Sequence, residues 1–197
     1  MKISFIGGGN MATALIGGML KQGWEPQAIT VVEIDALARA RLQRELGVRV
    51  QADAAAGTRG ADCVVIAVKP QQLREVAQGL APHVAQALVL TIAAGIRVRD
   101  LSRWLGGHAR IVRAMPNTPA LVLAGMTGLY AAPAVTSDDR ARADRIMSAA
   151  GSTLWVDDEA QIDSITAISG SGPAYVFYFI EALEQAATQL GFGADAA

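Results

Sequence analysis

Cysteine and aromatic residues are scarce in this 197-residue sequence. Its one cysteine, Cys63, lies in the apolar run DCVVIAV, which excludes an intrachain disulfide and a multi-cysteine metal site. We therefore expect a reducing cytoplasm as the compartment. Aromatic residues make up 5% of the chain although 52% is hydrophobic, so Ala, Val, Leu and Ile must build the core. This composition is typical of helices packed on a Val- and Ile-rich sheet.

An excess of positive charge and a long hydrophobic run are missing as well. The formal net charge is −1 and the basic residues are scattered, which disfavours a nucleic-acid-binding surface and leaves a small molecule as the expected partner. The late apolar run at residues 174–180 is far shorter than the roughly 20 residues of a membrane helix. The N-terminus MKISFIGGG leads directly into a strand, without the pattern of a signal peptide. His83 and His108 are isolated, so we expect no metal site.

Short β-rich runs alternate with helical patterns up to residue 115. Six runs predict strands: KISFIG, ITVVE, VRV, CVVIAV, LVLTI and RIVRAM. The helices between these strands are predicted to start or end at four punctuating residues: Gly23, Asp35, Gly47 and Pro70. This alternation predicts an α/β fold, a Rossmann-type doubly wound sheet that is mostly parallel.

The pattern loosens beyond Gly125. GMTGLYAA and STLWVDD predict two further strands of the same sheet, and the segment between them predicts a helix capped by Ser137 or Asp138. The acidic run at residues 157–159 is interpreted as a solvated turn before a helix N-terminus, inside a polar segment that extends to SGSG.

A last helix is predicted to begin at Pro173 and to end at Gly191. It is apolar on nearly all sides around residues 175–180, so one domain face cannot cover it. Because the chain ends at Ala197, soon after this helix, we expect an incomplete C-terminal helical domain. The predicted division is residues 1–160 for the α/β domain and 161–197 for the start of the helical domain.

Gly7, Gly9 and Ala12 form the pattern G-x-G-x-x-A between a strand and a helix. In that context the pattern predicts dinucleotide binding, because glycines allow a tight turn and let a pyrophosphate approach the helix N-terminus. A tight turn without a ligand is the alternative.

Glu33 closes the second strand, where an acidic side chain accepts hydrogen bonds from the adenosine ribose. Such a carboxylate favours NADH because it repels a 2′-phosphate, whereas Arg39 and Arg41 nearby keep NADPH open. An ordinary exposed glutamate at a strand end is the alternative interpretation.

Three further stretches, at residues 67–73, 96–127 and 168–183, resemble pyrroline-5-carboxylate reductases. Their sequences include AVKPQQL, RAMPNTP and ISGSGPAY, and with FIGGGNMA the resemblance runs in order over essentially the whole chain. RAMPNTP and SGSGPAY are specific to that family, whereas the glycine pattern fits many dehydrogenases. The resemblance implies reduction of the cyclic imine 1-pyrroline-5-carboxylate to L-proline with NADPH or NADH, the last step of proline biosynthesis.

The resemblance also implies two groups of site residues. The cofactor would be lined by Ile6, Gly7, Gly8, Gly9, Asn10, Met11, Glu33, Ala67, Val68, Lys69, Pro70, Ile92, Ala93, Ala94 and Asn117. The substrate would be bound by Thr118, Ser169, Gly170, Ser171 and Gly172. From the residues alone, a helix N-terminus after SGSG could hold a substrate carboxylate, or the segment could be an interdomain hinge. The MPNTP loop could equally be a structural turn.

The catalytic residues stay unassigned. In the family, further substrate contacts come from a glycine-rich loop with a threonine in the helical domain, which we expect to lie beyond Ala197. We therefore expect this chain to bind NAD(P)H but to reduce the imine poorly. The resemblance also implies a homodimer or a higher homo-oligomer. A related imine or β-hydroxyacid reductase and a non-catalytic dinucleotide-binding module are the alternatives.

Overall fold

The computed structural model describes residues 1–197 and contains one eight-stranded sheet with the strand order β3-β2-β1-β4-β5-β6-β7-β8. The strands are β1 (Ile3–Ile6), β2 (Ile29–Val32), β3 (Arg49–Gln51), β4 (Cys63–Ile66), β5 (Leu88–Thr91), β6 (Ile111–Met115), β7 (Gly125–Ala131) and β8 (Gly151–Val156). All eight predicted strands are confirmed. The first six pair in parallel, β7 is antiparallel to β6, and β8 is parallel to β7. The prediction of a mostly parallel, Rossmann-type sheet is therefore confirmed.

The helices are α1 (Asn10–Lys21), α2 (Ala36–Leu46), α3 (Ala54–Thr58), α4 (Pro70–Leu80), α5 (Val98–Trp104), α6 (Ser137–Met147), α7 (Ala160–Ile165) and α8 (Gly172–Gln189). The predicted cap of α6 is wrong by one residue. Thr136 accepts a hydrogen bond from the Asp139 amide at 3.2 Å and its own amide donates to the Asp139 carboxylate at 3.3 Å. This reciprocal capping box makes Thr136, rather than Ser137 or Asp138, the residue before the helix.

Two apolar clusters cover the two faces of the sheet. One contains Phe5 and Val65 and packs with α1 and α6, whereas the other contains Ile6 and Ile66 and packs with α4 and α5. Successive residues of a strand point to opposite faces, so strands buried on both sides read as continuous apolar runs. The helices therefore lie on both faces, as a doubly wound fold requires.

β1 lies between β2 and β4, and it pairs in parallel with both. The connection from β1 therefore leaves toward one edge of the sheet, and the chain later crosses back to place β4 on the other side. Such a reversal of strand order opens a crevice at the carboxyl ends of the strands, where ligands bind in open α/β sheets.

The polar segment before α8 is largely helical, and α7 begins directly after the acidic run, as predicted for a helix N-terminus there. α7 leads into a π-helix over Thr166–Gly170, and α8 begins at Gly172 with Pro173 in its first turn, not at Pro173. The Ser171 amide donates to the Thr166 carbonyl at 2.9 Å, which carries helical hydrogen bonding across the SGSG motif. Single π-helical turns inside helices are frequent at functional sites.

The outer surface of α8 is apolar and exposed. Its exposed residues include Tyr175, Phe177, Tyr178, Phe179 and Leu183. None of the helices combines the length and the apolar character that a bilayer crossing requires.

Candidate cofactor and substrate site

The turn after β1 requires glycine at its first position. Gly7 has φ of +99°, and a Cβ atom there would lie 2.9 Å from the carbonyl oxygen of Ala67. Its amide donates to the Val32 carbonyl at 2.8 Å. The turn is therefore locked between the ends of β2 and β4, and both the backbone angle and the close approach exclude a side chain.

The N-terminus of α1 is free of protein partners. Gly9 precedes the helix without a side-chain cap, and the amides of residues 9–12 donate to no group of the protein. Four unpaired N–H groups at the positive end of a helix dipole form an anion-binding site. A Cβ atom on Gly9 would meet nothing within 4 Å, so a ligand can approach the backbone there. These features fit the pyrophosphate of a dinucleotide.

Glu33 lies beside this turn. Its Oε2 accepts from the Gly8 amide and its Oε1 from the Asp35 amide, each at 3.0 Å. The structure thus brings Glu33 to the glycine turn, and the two bonds fix the carboxylate at the end of β2. This geometry is what ribose recognition needs.

The loops after β4 and β5 extend the same edge of the sheet. The Ala67 amide donates to the Ile6 carbonyl at 2.8 Å, and the Ile92 amide donates to the Ile66 carbonyl at 3.2 Å. Val68 follows Ala67, Pro70 is the first residue of α4, and Ala93 and Ala94 follow Ile92. Lys69 is exposed and its ammonium group pairs with no protein group, so it can meet a ligand. The small residues leave the crevice open.

A second set of predicted residues meets at the end of β6. Asn117 Nδ2 donates to Ser169 Oγ at 3.2 Å, and Asn117 Oδ1 accepts from the Met126 amide at 2.9 Å. The Ser169 oxygen is thus an acceptor toward Asn117, and its own O–H hydrogen is left for another acceptor. Thr118 is exposed, and its hydroxyl makes no hydrogen bond within the protein. Two hydroxyl donors are therefore left, one in the loop after β6 and one in the π-helix that this loop contacts.

The remaining predicted substrate residues lie in the helical segment. Gly170 ends the π-helix and packs against the terminal methyl of Met115, while Gly172 begins α8. The Ser171 hydroxyl donates to the Thr166 carbonyl at 3.1 Å, so it is already used within the segment. The prediction of a free helix N-terminus after SGSG is wrong, because the helix continues through the motif. The Ser169 hydroxyl, in contrast, still has a hydrogen that it can donate to a ligand.

Comparison with known proteins gives two family models in the order of the fold. A model described as NADP oxidoreductase coenzyme F420-dependent matches residues 2–95, and a model described as pyrroline-5-carboxylate reductase dimerisation matches residues 159–197. The pyrroline-5-carboxylate reductase of Pseudomonas aeruginosa is 44% identical over 197 residues, which is 100% of this chain and 72% of the relative. The chain belongs to the pyrroline-5-carboxylate reductase family.

Solved structures agree with this assignment. A pyrroline-5-carboxylate reductase from Coxiella burnetii superposes with a TM-score of 0.91 at 42% identity, covering 98% of this chain and 73% of that one. The Plasmodium falciparum enzyme, solved with NADP bound, has a TM-score of 0.88 at 28% identity and covers 99% of this chain and 72% of that one. The similarity that supports the fold and the family assignment therefore extends over essentially the full length of this chain.

One ion-pair network was missed at the sequence level. Arg113, on β6, is buried and pairs with Glu159 at 3.2 Å and with Asp163 at 2.7 Å. Glu159 also accepts from the Val98 amide at 2.7 Å. The predicted solvated turn before a helix is confirmed for the exposed Asp157 and Asp158, whereas Glu159 is partly buried and paired. The signal was an arginine inside the apolar strand RIVRAM, since a buried charge requires a partner. The network anchors α7, and with it the π-helix that carries Ser169.

The other titratable groups in the core lie away from this edge. Burial raises the pKa of the Cys63 thiol to about 12, so the thiol is neutral and unreactive. Desolvation lowers the pKa of the half-buried His108, which follows α5 at the opposite, amino-terminal end of β6. Neither group contributes to the candidate site.

Proposed function

We propose that this chain is an oxidoreductase that binds NADH or NADPH and reduces 1-pyrroline-5-carboxylate to L-proline, the final step of proline biosynthesis. The observation that carries the proposal is the set of four unpaired amides at residues 9–12 beside Glu33, in a chain 44% identical to a pyrroline-5-carboxylate reductase.

The residues present fit a nicotinamide dinucleotide. Amides at the start of α1 would hold the pyrophosphate, Glu33 the adenosine ribose, and the loops after β4 and β5 the flat rings. When bound in reduced form, the nucleotide supplies a hydride. The protein's part is to hold both reactants in one orientation and to exclude water, which can supply much of the rate enhancement.

For the substrate we propose the edge formed by Thr118 and Ser169. The free hydrogens of these two hydroxyls can donate to a carboxylate, which the imine substrate carries. Asn117 would set the direction of the Ser169 hydroxyl, because Ser169 Oγ already accepts from its amide. The catalytic proton donor is not assigned to any residue of this chain, which spans 72% of the length of the Pseudomonas aeruginosa relative.

We also propose that α8 packs against a second copy of the chain in a homodimer or larger homo-oligomer. Its exposed aromatic and aliphatic side chains form a surface of the kind that marks an interface. The division into residues 1–160 and 161–197, and a cytoplasmic location, stay part of this proposal.

The test is a substrate panel with NADH and NADPH, run beside a fluorescence titration of nucleotide binding. We expect 1-pyrroline-5-carboxylate to give a higher kcat/KM than a cyclic imine without a carboxylate or a β-hydroxyacid. A preference for either competitor would favour a related reductase instead. Folded protein that binds neither nucleotide would contradict the proposal altogether.

A further inference from the structure

The loop after β2 combines the carboxylate of Glu33 and the guanidinium of Arg39 in one hydrogen-bonded unit. From this unit we infer that the chain binds NADH and discriminates against NADPH. The inference rests on the proposed function, because it names which nucleotide that same site takes. The two nucleotides differ by the 2′-phosphate on the adenosine ribose, so the loop that receives the ribose decides between them.

The Glu33 carboxylate is fixed in place. Each of its oxygens accepts a backbone N–H, from Gly8 and from Asp35, at 3.0 Å. Its own amide donates to the Gln51 carbonyl at 2.9 Å, which ties the residue to β3. If the side chain rotated away to make room for a phosphate, it would lose both hydrogen bonds to backbone N–H groups. One of these N–H groups belongs to the buried Gly8. A ribose hydroxyl can donate to this carboxylate, whereas a 2′-phosphate can only repel it.

Arg39, the first cation after Glu33, is tied to the backbone of the loop. Arg39 Nη1 donates to the Glu33 carbonyl at 2.7 Å and to the Ile34 carbonyl at 2.8 Å. The half-buried guanidinium therefore holds the backbone of the loop that presents Glu33. Both donated hydrogens come from Nη1, so moving the guanidinium away from the loop backbone toward a phosphate would break both bonds, whereas the Nε and Nη2 hydrogens are not engaged.

No other cation is available within the loop. Residues 33–38 contain no Lys or Arg and carry a second carboxylate, Asp35, which accepts from the Ala38 amide at 2.9 Å and caps α2. Arg41 lies on the face of α2 that lines a groove with Lys21 of α1 and Glu45. The ribose end of the site is thus negative. We expect NADH to bind at least about tenfold more tightly than NADPH, a modest value for like charges in contact at a protein surface.

The experiment titrates the 197-residue protein with NADH and with NADPH by calorimetry or nicotinamide fluorescence, without turnover. The wild type is expected to show the tenfold preference for NADH. Glu33→Gln removes the charge at constant size, so it should strengthen NADPH binding, weaken NADH binding and bring the ratio near one. Glu25→Gln is the matched control. Glu25 lies before β2, at the amino-terminal end of the sheet, and its side chain forms no hydrogen bond; we expect no effect on either nucleotide.

Equal affinities, or tighter binding of NADPH by the wild type, would overturn the inference and leave the proposed function intact. Arg39→Met provides a second test that does not depend on Glu33→Gln folding. If Arg39 only supports the loop, both affinities change together; a loss confined to NADPH would show that Arg39 reaches the phosphate, against the inference. Binding of neither nucleotide by folded protein would overturn the proposed function and this inference with it.

Discussion

Asn117 and Ser169, 52 residues apart in sequence, are joined by a hydrogen bond of 3.2 Å from Nδ2 to Oγ. The bond connects the loop after β6 with the π-helix before α8. The other half of the Asn117 amide accepts from Met126, so the orientation of the amide is determined by both contacts. Ser169 is thereby placed with its hydrogen directed away from Asn117.

Asn117→Asp separates the two contacts of this residue. A carboxylate still accepts from the Met126 amide but cannot donate to Ser169, so the serine hydroxyl turns toward it and away from the substrate. We expect KM for the imine to rise about tenfold, the worth of one hydrogen bond to a charged group, with a smaller change in kcat. Steady-state kinetics with Ser169→Ala and the double variant complete a cycle. Additive losses in the double variant would contradict a role for Asn117 through Ser169.

Gly7 and Gly9 should respond differently to alanine. A methyl group at Gly9 meets no protein atom within 4 Å, so Gly9→Ala should unfold close to the wild-type temperature. The methyl group would stand where a pyrophosphate approaches the amides, and we expect nucleotide affinity to fall about tenfold or more. Fluorescence titration together with thermal unfolding measures both effects.

Gly7→Ala is the matched comparison. At φ of +99° and 2.9 Å from the Ala67 carbonyl oxygen, the added Cβ strains the fold itself, at a cost of about 1–3 kcal/mol in the free energy of unfolding. Equal destabilisation by both variants, or unchanged nucleotide binding by Gly9→Ala, would contradict the assignment of the site to the start of α1.

Sequence patterns predicted the strands and the long helices because their signals are local. Runs buried on both faces of a parallel sheet read as continuous apolar segments, and caps such as Asp35 and Gly47 mark the ends of α2. The glycine turn was predictable for the same reason, since a positive φ and a close approach restrict the residue at Gly7 itself.

The acidic run predicted the start of α7, but the continuation of helix through the π-helix was not predictable from local pattern. The Ser, Thr, Asp and Gly residues of this segment favour turns and caps in isolation, and only Ile162 is fully buried within α7. Helicity there depends on long-range contacts, chiefly the pairs of Glu159 and Asp163 with Arg113, which lie 46 and 50 residues apart in sequence. The bond between Asn117 and Ser169 is hidden from local pattern in the same way.

Arg113→Met tests the anchoring of α7. The substitution leaves Glu159, whose side chain is 17% exposed, without its cation, and removing one partner of a buried ion pair costs about 3 kcal/mol or more. We expect that loss in the free energy of unfolding by urea titration. Arg97→Met is the control, because the Arg97–Asp163 pair is half exposed and should contribute less than about 1 kcal/mol. Similar losses in both variants would show that Arg113 does not anchor α7.

Asp139 should make stability depend on pH. Its buried carboxylate pairs with Arg110 at 2.7 Å, and this hydrogen-bonded guanidinium, with the Thr136 cap, holds the pKa of Asp139 below its ordinary value. A group whose folded pKa is depressed stabilises the protein fully above its unfolded pKa, near 4 for a carboxyl group, and loses that contribution as pH falls toward the folded pKa.

Asp139→Asn should therefore cost about 2–3 kcal/mol in the free energy of unfolding at pH 7. The difference in that free energy between the variant and the wild type should shrink below about pH 4. Urea unfolding between these pH values measures the difference, and Asp138→Asn, at the exposed neighbouring position, should change stability little at any pH. A difference for Asp139→Asn that stays constant down to pH 3 would show that its ionisation is not linked to folding.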